Sequence, residues 1–214
     1  MEDLNKYIDH TQLAAHTTAS MINTLCSEAR NYNFKAVCVN PYHVAKAAEL
    51  LNGSDVLVAT VAGFPLGATY SKTKALEASI AVEAGAAEID MVLNIGALLD
   101  GDLKLLEMEI AAVRKACSGS LLKVILETCL LTEQQIIDSC RISVDCGADF
   151  VKTSTGFASG GATIEAVRLM RQTVGPEIGV KASGGIRTRE QALAMIEAGA
   201  NRIGTSSGAA ICGN

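Results

Sequence analysis

Leu122-Lys123-Val124-Ile125-Leu126, then Thr132-Glu133-Gln134-Gln135, then Asp145-Cys146-Gly147-Ala148, then Asp149-Phe150-Val151-Lys152: these four phrases, within one stretch of about thirty residues, decide the fold. The first and last are short, nearly continuous apolar runs, the pattern of strands buried on both faces of a parallel sheet. Between them Thr132, with Gln135 three residues on, has the form of a capping box. The amphipathic stretch 133–146 that follows stops at Gly147, as helices do when the next residue must turn left-handed. Strand, helix and strand thus follow one another in about thirty residues, the size of one βαβ unit.

The same join recurs outward in both directions. Glu83-Ala84-Gly85-Ala86 and Glu197-Ala198-Gly199-Ala200 also end helical stretches on glycine just before an apolar run. Further helices are expected over 71–84, 103–116 and 189–198, the last capped by Thr188. Strand candidates are Lys6-Tyr7-Ile8-Asp9, Ala36-Val37-Cys38-Val39, the run 56–61, Glu88-Ile89-Asp90-Met91-Val92-Leu93, 122–126, 149–152, Gly179-Val180-Lys181-Ala182 and Arg202-Ile203-Gly204. Eight such units in 214 residues come to about 27 residues each, the spacing of a (β/α)8 TIM barrel. An open doubly wound sheet commonly carries a glycine-rich turn after its first strand, and here that turn reads Asp9-His10-Thr11-Gln12. The expectation is α/β: a parallel eight-stranded barrel with outer helices, one domain over residues 1–214.

Composition agrees. Hydrophobic residues make up 49% and charged residues 19%, which excludes a disordered chain; 19 Gly and 3 Pro exclude collagen-like sequence. Mean hydropathy is +0.28, yet no apolar run reaches the roughly 20 residues of a membrane span, so no membrane association is expected. A net charge of −5 with no Trp and no basic stripe argues against nucleic-acid binding. The seven cysteines, 26, 38, 117, 129, 140, 146 and 212, are odd in number and lack CxxC pairs. The first six residues lack a signal peptide's basic and apolar regions. Both features suggest a cytoplasmic protein with reduced thiols. Homo-oligomerisation is left open. Met21, Met91, Met108, Met170 and Met195 read as core filler.

In a barrel the chemistry lies at the C-terminal ends of the strands. Phe150-Val151-Lys152-Thr153-Ser154-Thr155-Gly156 and Gly179-Val180-Lys181-Ala182-Ser183-Gly184-Gly185 each place a lysine in an apolar strand just before small hydroxyl residues and glycine. Adjacent parallel strands lie about 4.8 Å apart, so Lys152 and Lys181 are expected to share one cavity. Crowded ammonium groups disfavour each other's charge, and burial adds to the effect. One of the two should then supply a neutral amine able to form a Schiff base. The alternative is that each lysine snorkels at a strand end or makes a structural ion pair. Asp90 interrupts an otherwise apolar strand and is the natural partner for both lysines, as a proton shuttle or as a plain buried salt bridge. Asp9 and Lys123 are supporting members that could face the interior, and Glu127 reads as a local cap or pairing residue.

The loops after strands seven and eight, Ser183-Gly184-Gly185-Ile186 and Gly204-Thr205-Ser206-Ser207-Gly208, occupy the positions where such barrels bind phosphate. Gly184, Gly185, Gly204, Ser206 and Ser207, with Thr155 and Gly156, are therefore substrate- and phosphate-binding candidates. His10, His16 and His43 show no metal-ligand spacing, His10 reads as a strand-end or loop residue, and no cofactor fingerprint appears. No metal or cofactor is expected.

At this point the residues resemble a known family. Tyr7-Ile8-Asp9-His10-Thr11, Val37-Cys38-Val39-Asn40-Pro41, Gly63-Phe64-Pro65-Leu66-Gly67 and the Asp90, Lys123, Lys152, Lys181 and Gly204 phrases are together similar to the deoxyribose-phosphate aldolases, in order and over nearly the whole chain. The resemblance implies a class I aldolase, a lyase cleaving 2-deoxy-D-ribose 5-phosphate, a phosphosugar, to acetaldehyde and D-glyceraldehyde 3-phosphate. It implies Lys152 as the Schiff-base lysine, Lys181 as the group perturbing it, and Asp90 in a proton relay through water. Cys38 matches a family cysteine near the substrate entrance, with structural burial as the plainer reading. In the mechanism drawn from it, the iminium on Lys152 breaks the C3–C4 bond as a proton leaves the C4 hydroxyl. The end, Ile211-Cys212-Gly213-Asn214, lacks the terminal tyrosine of long-type members and resembles the short type, with a curtailed last helix. Another phosphosugar aldolase or isomerase on the same barrel, or a non-catalytic sugar-phosphate binder, would share the phosphate loops.

Overall fold

The apolar runs become eight parallel strands that hydrogen-bond in chain order and close on themselves: β1 (Ile8–Gln12), β2 (Ala36–Val39), β3 (Leu57–Ala62), β4 (Glu88–Val92), β5 (Leu121–Ile125), β6 (Phe150–Lys152), β7 (Gly179–Ser183) and β8 (Arg202–Thr205). Closure is made by β1 against β8, with Ile8 opposite Ile203 and His10 opposite Thr205. The structure, a computed structural model, describes residues 4–213; residues 1–3, which carry part of the leader-peptide expectation, and residue 214 lie outside the described residues. No helix among the described residues is long and apolar enough to cross a membrane.

Among the described residues nine α-helices accompany the strands: α1 (Ala19–Tyr32), α2 (Val44–Leu51), α3 (Ser71–Glu83), α4 (Ile95–Leu99), α5 (Leu103–Ala116), α6 (Glu133–Asp145), α7 (Ile164–Val174), α8 (Arg189–Glu197) and α9 (Gly208–Cys212). The punctuation read from the sequence is in place. Thr132 and Thr188 each close a reciprocal capping box, and Gly85, Gly147 and Gly199 take positive φ after their helices. The last helix is a five-residue stub, short as expected, and β8 still completes the barrel.

Two expectations change. Lys6 and Tyr7 belong to a 3-10 turn, Leu4–Tyr7, which itself buries Leu4 against the core, and the first strand starts at Ile8. Met108 is exposed: α5 buries Leu106, Glu109, Ile110 and Val113, and Met108 falls on its outer face. Met91, Met170 and Met195 are buried. His10 does lie in β1, where it is buried and hydrogen-bonded through Nε2 to Glu28 of α1 at 2.7 Å.

Strand packing places two contrasting surfaces inside the barrel. On the β2–β3 side, Ala36, Cys38, Ala59 and Val61 form a small apolar cluster with Leu13; the opposite side carries charge. Outside the barrel, α3 and α5 enclose a second, separate ion pair. Lys74 Nζ lies 2.8 Å from Glu109 Oε1, with both side chains fully buried. It also donates to the carbonyl of Val92 at the end of β4, at 2.7 Å, while Glu109 Oε2 accepts from the Asn94 amide at 3.2 Å. Gly63 is required beside it: a Cβ there would come within 2.6 Å of Lys74 Cε.

Candidate active site

Strand alternation brings the interior charges together. Glu88 and Asp90 are two residues apart on β4 and so share a face; Asp90 is the register partner of Lys123, Lys152 of Lys181, and Lys181 of Arg202. The contacts run as a closed ring of alternating sign. Lys181 Nζ lies 2.7 Å from Asp90 Oδ2; Asp90 Oδ1 accepts from Lys123 Nζ at 2.6 Å, and Lys123 reaches Glu88 Oε2 at 2.6 Å. Glu88 accepts twice from the Arg202 guanidinium, at 3.0 and 2.8 Å, and Arg202 Nε donates to Asp9 Oδ1 at 2.7 Å. Asp9 Oδ2 then lies 2.5 Å from Lys181, which closes the ring. All six side chains are buried.

Lys152 stands outside this balance. Its Nζ donates to Asp90 Oδ2 at 2.8 Å, the same oxygen that holds Lys181. Three cations and three carboxylates already neutralise one another around the ring, so Lys152 has no carboxylate of its own. Burial pushes its ammonium below the usual lysine range and neighbouring Lys181 adds to the fall, against the pull of Asp90. Lys181 moves the other way: burial opposes its charge, but Asp9 and Asp90 together hold its proton more tightly than usual. Burial likewise opposes the charge on Asp90, yet Lys123, Lys152 and Lys181 hold it well below the carboxylate range. The two lysines are therefore pushed in opposite directions, and the order of causes differs from the expectation. Desolvation comes first, the opposing pull of Asp90 next and like-charge crowding after both, with the Asp90 carboxylate lying between the two ammoniums.

Above Lys152 a cavity of about 500 Å³ opens at the C-terminal face, lined by Thr155, Gly156, Gly184, Gly185, Gly204 and Ser206 among others. Ser207 is the one loop candidate not on its wall; its amide is turned back to Thr205 Oγ1 at 2.9 Å as α9 begins. Cys38 does not reach an entrance. It is wholly buried in the barrel wall, and burial raises its thiol above the usual range. Asp9 and Lys123 are full members of the ring.

Several participants escaped the sequence reading. Glu127 sits at the N-cap position of the 3-10 turn Thr128–Leu130, but its side chain makes no capping bond: its backbone is left-handed (φ 57°), and its carboxylate accepts from the amide of Thr155, 28 residues on, at 3.2 Å, as well as from the Thr155 hydroxyl. That long-range contact left no local signal. Glu88 did leave one, the period-two spacing with Asp90. Arg202 opens a strand, where arginine ordinarily snorkels outward. His16 and Arg187 reach the cavity from loops, with nothing in their neighbours to announce it.

Comparison with known proteins identifies what kind of barrel this is. Residues 4–214 match the DeoC/LacD family aldolases. The chain belongs to that family. It is an aldolase, a lyase acting on carbon–carbon bonds. Among its relatives, a deoxyribose-phosphate aldolase of Brevibacillus brevis is 61% identical over 209 residues, covering 98% of this chain and 95% of that protein. One from Thermococcus gammatolerans is 60% identical over 213 residues, with 98% and 95% covered. The solved deoxyribose phosphate aldolase of Aeropyrum pernix, described as a unique tetramer, superposes with a TM-score of 0.92 at 34% identity, over 99% of this chain and 90% of that one.

Proposed function

We propose that this aldolase cleaves 2-deoxy-D-ribose 5-phosphate reversibly to acetaldehyde and D-glyceraldehyde 3-phosphate, with Lys152 as the Schiff-base lysine. One observation carries the reading: among the described residues, Lys152 is the cation left over when the interior ring is balanced, and burial favours its neutral amine. Neutral Lys152 Nζ attacks C1 of the open-chain aldehyde, and loss of water leaves an iminium. Counting carbons corrects the bond drawn from the resemblance. Acetaldehyde carries C1 and C2, so C2–C3 breaks as the C3 hydroxyl loses its proton, and the bond electrons flow into the iminium to give an enamine. Protonation of the enamine at C2 and addition of water then free acetaldehyde and Lys152.

The iminium restores a positive charge beside Asp90 Oδ2, in a dry site where such pairing is strongest. Asp90 is the ionised group against which that charge develops, and Lys181 fixes its position. Proton transfer to and from the substrate oxygen runs through water between them. Backbone amides at Gly184, Gly185 and Gly204 and the Ser206 hydroxyl cradle the phosphate, with Arg187 as the cation at the mouth. Holding the phosphate remote from C1 aligns the scissile bond. The chemistry needs no metal or cofactor. The protein works as one (β/α)8 domain, in the cytoplasm. Leu66, Tyr70, Leu76 and Ile80, all exposed, form the surface through which we expect it to self-associate.

Borohydride added with acetaldehyde should reduce the imine to a secondary amine and mark Lys152 in a peptide map. A Lys152→Ala variant that still traps, or a parent protein that traps elsewhere, refutes the assignment. Acetaldehyde release from 2-deoxyribose 5-phosphate separates this substrate from a different phosphosugar.

A further inference from the structure

The far side of the ring from the reactive amine, the Glu88–Arg202 pair, touches neither Lys152 nor the cavity. Its chelated, bidentate geometry is more than strand packing needs. Arg202 spans two strands, β1 and β4, that are not its neighbours in sequence, and lies 6.0 Å from the Phe150 ring. Gly179 makes room for that ring: a Cβ there would sit 2.2 Å from it. We propose that Glu88 and Arg202 are remote positioning residues that set the pH at which Lys152 becomes a free amine, by fixing the net charge of the sealed barrel interior. This rests on Lys152 being the Schiff-base lysine.

The reasoning is electrostatic counting. Facing Lys152 from the surrounding strands are Asp90 and Glu88 (β4), Lys123 (β5), Lys181 (β7), Arg202 (β8), Asp9 (β1) and the thiol of Cys38 (β2). Strand β3 contributes Ala59, Val61 and the half-buried Leu57 to the interior cluster, none of them titratable. Glu127 is engaged with Thr155, and His16 and Arg187 stand at the open mouth, where water screens them. Inside, the charges have little solvent to relax them, so a unit change anywhere in the ring is felt at Lys152. Through an effective dielectric constant of about 20 and a separation of about 10 Å, one charge moves a titration by about one pH unit. Removing the positive charge of Arg202 leaves the ring one carboxylate in excess, and a protonated Lys152 then completes the balance. Removing the negative charge of Glu88 leaves it one cation in excess and makes that protonation harder.

The test is a charge cycle read by pH. In the intact enzyme, Arg202→Gln should move the acid limb of kcat/KM, and of cyanoborohydride trapping of acetaldehyde on Lys152, up by about one pH unit. Glu88→Gln should move both down by a similar amount, and Glu88→Gln/Arg202→Gln should return them to the parental position. Arg202→Lys, which keeps the charge, should leave them unmoved. A purely structural role would lower activity in both single variants without opposite shifts, and would make the double variant the worst. Should Arg202→Gln fail to fold, Glu88→Gln and the double variant decide. Limbs that move in the same direction, or stay still in folded variants, overturn the proposal. If the parent enzyme does not trap at Lys152, it is the aldolase assignment of that lysine that fails instead.

Discussion

Replacing Lys74 by methionine probes how far a charge outside the barrel supports the strand that carries Asp90. Methionine roughly matches the aliphatic length of lysine but removes Nζ, and with it the 2.8 Å pair to Glu109 and the 2.7 Å bond to the Val92 carbonyl. Glu109 is then a fully buried carboxylate with the Asn94 amide as its remaining donor. Stranding one partner of a buried pair costs about 3–5 kcal/mol. In a chain of this size each kcal/mol lowers the melting temperature by about 2–4 °C, so the variant should melt on the order of 10 °C lower. The loss should depend on pH. Burial raises the Glu109 carboxyl above its ordinary value of 4.5 even with Lys74 pulling it down. A group whose folded value is raised contributes stability below its unfolded value and loses it as pH rises through the folded one. Without Lys74 that rise is larger, so the deficit should be smallest near pH 4 to 5 and deepen toward neutrality. Thermal unfolding followed by circular dichroism across that range is the assay. Lys74→Met/Glu109→Gln, which keeps an acceptor for Asn94 but buries no charge, should recover about 2 kcal/mol of the loss and flatten the pH dependence. A single variant within about 2 °C of the parent, or a double variant no more stable than the single, would refute the reasoning.

Two further outcomes test the site directly. Asp90→Asn keeps the shape of the side chain but removes the charge shared by Lys123, Lys152 and Lys181, and should lower kcat about 10²- to 10⁴-fold; activity within tenfold of the parent would show that the carboxylate is not needed against the iminium. Gly204→Ala would put a Cβ 2.9 Å from Ser183 Cβ and 3.1 Å from Lys181 Cε, so it should cost about 1–3 kcal/mol of stability and reduce kcat by displacing Lys181; unchanged kcat would refute the claimed tightness of that wall.

The barrel was legible because its signals are local. A capping box at Thr132, glycine stops at 85, 147 and 199, and continuous β-branched runs each announce an element boundary without reference to distant residues. The buried charge cluster was legible for a different reason: lysine and aspartate inside apolar strands conflict with burial, and such conflicts single out candidate sites. What the sequence hid is pairing at long range. Glu88 looks like the polar start of a strand until Arg202, 114 residues away, is seen to hold it. Glu127 looks like a loop carboxylate until Thr155 arrives from the loop after the next strand. Local pattern has no access to such partners, and the order of physical causes at Lys152 was misjudged for the same reason. Two lysines in register suggest repulsion; Asp90 was legible as their partner, but that its single Oδ2 lies against both nitrogens is seen only once the barrel is closed.

The loop after β6 and the loop after β7 are sewn together. Ala162 donates its amide to the carbonyls of Ser183 and Gly184, at 3.0 and 3.1 Å, and Gly161 lies so close that a Cβ would come within 2.2 Å of the Gly184 oxygen. Ser183 Oγ adds a bond to the Ser154 carbonyl at 2.6 Å. These bonds tie the Gly184 loop, the proposed phosphate cradle, directly to the segment that follows Lys152. On the proposed assignment, a ligand gripped at one end arrives at the other already in register, and the span between those two points acts as a fixed gauge for the length of sugar accepted.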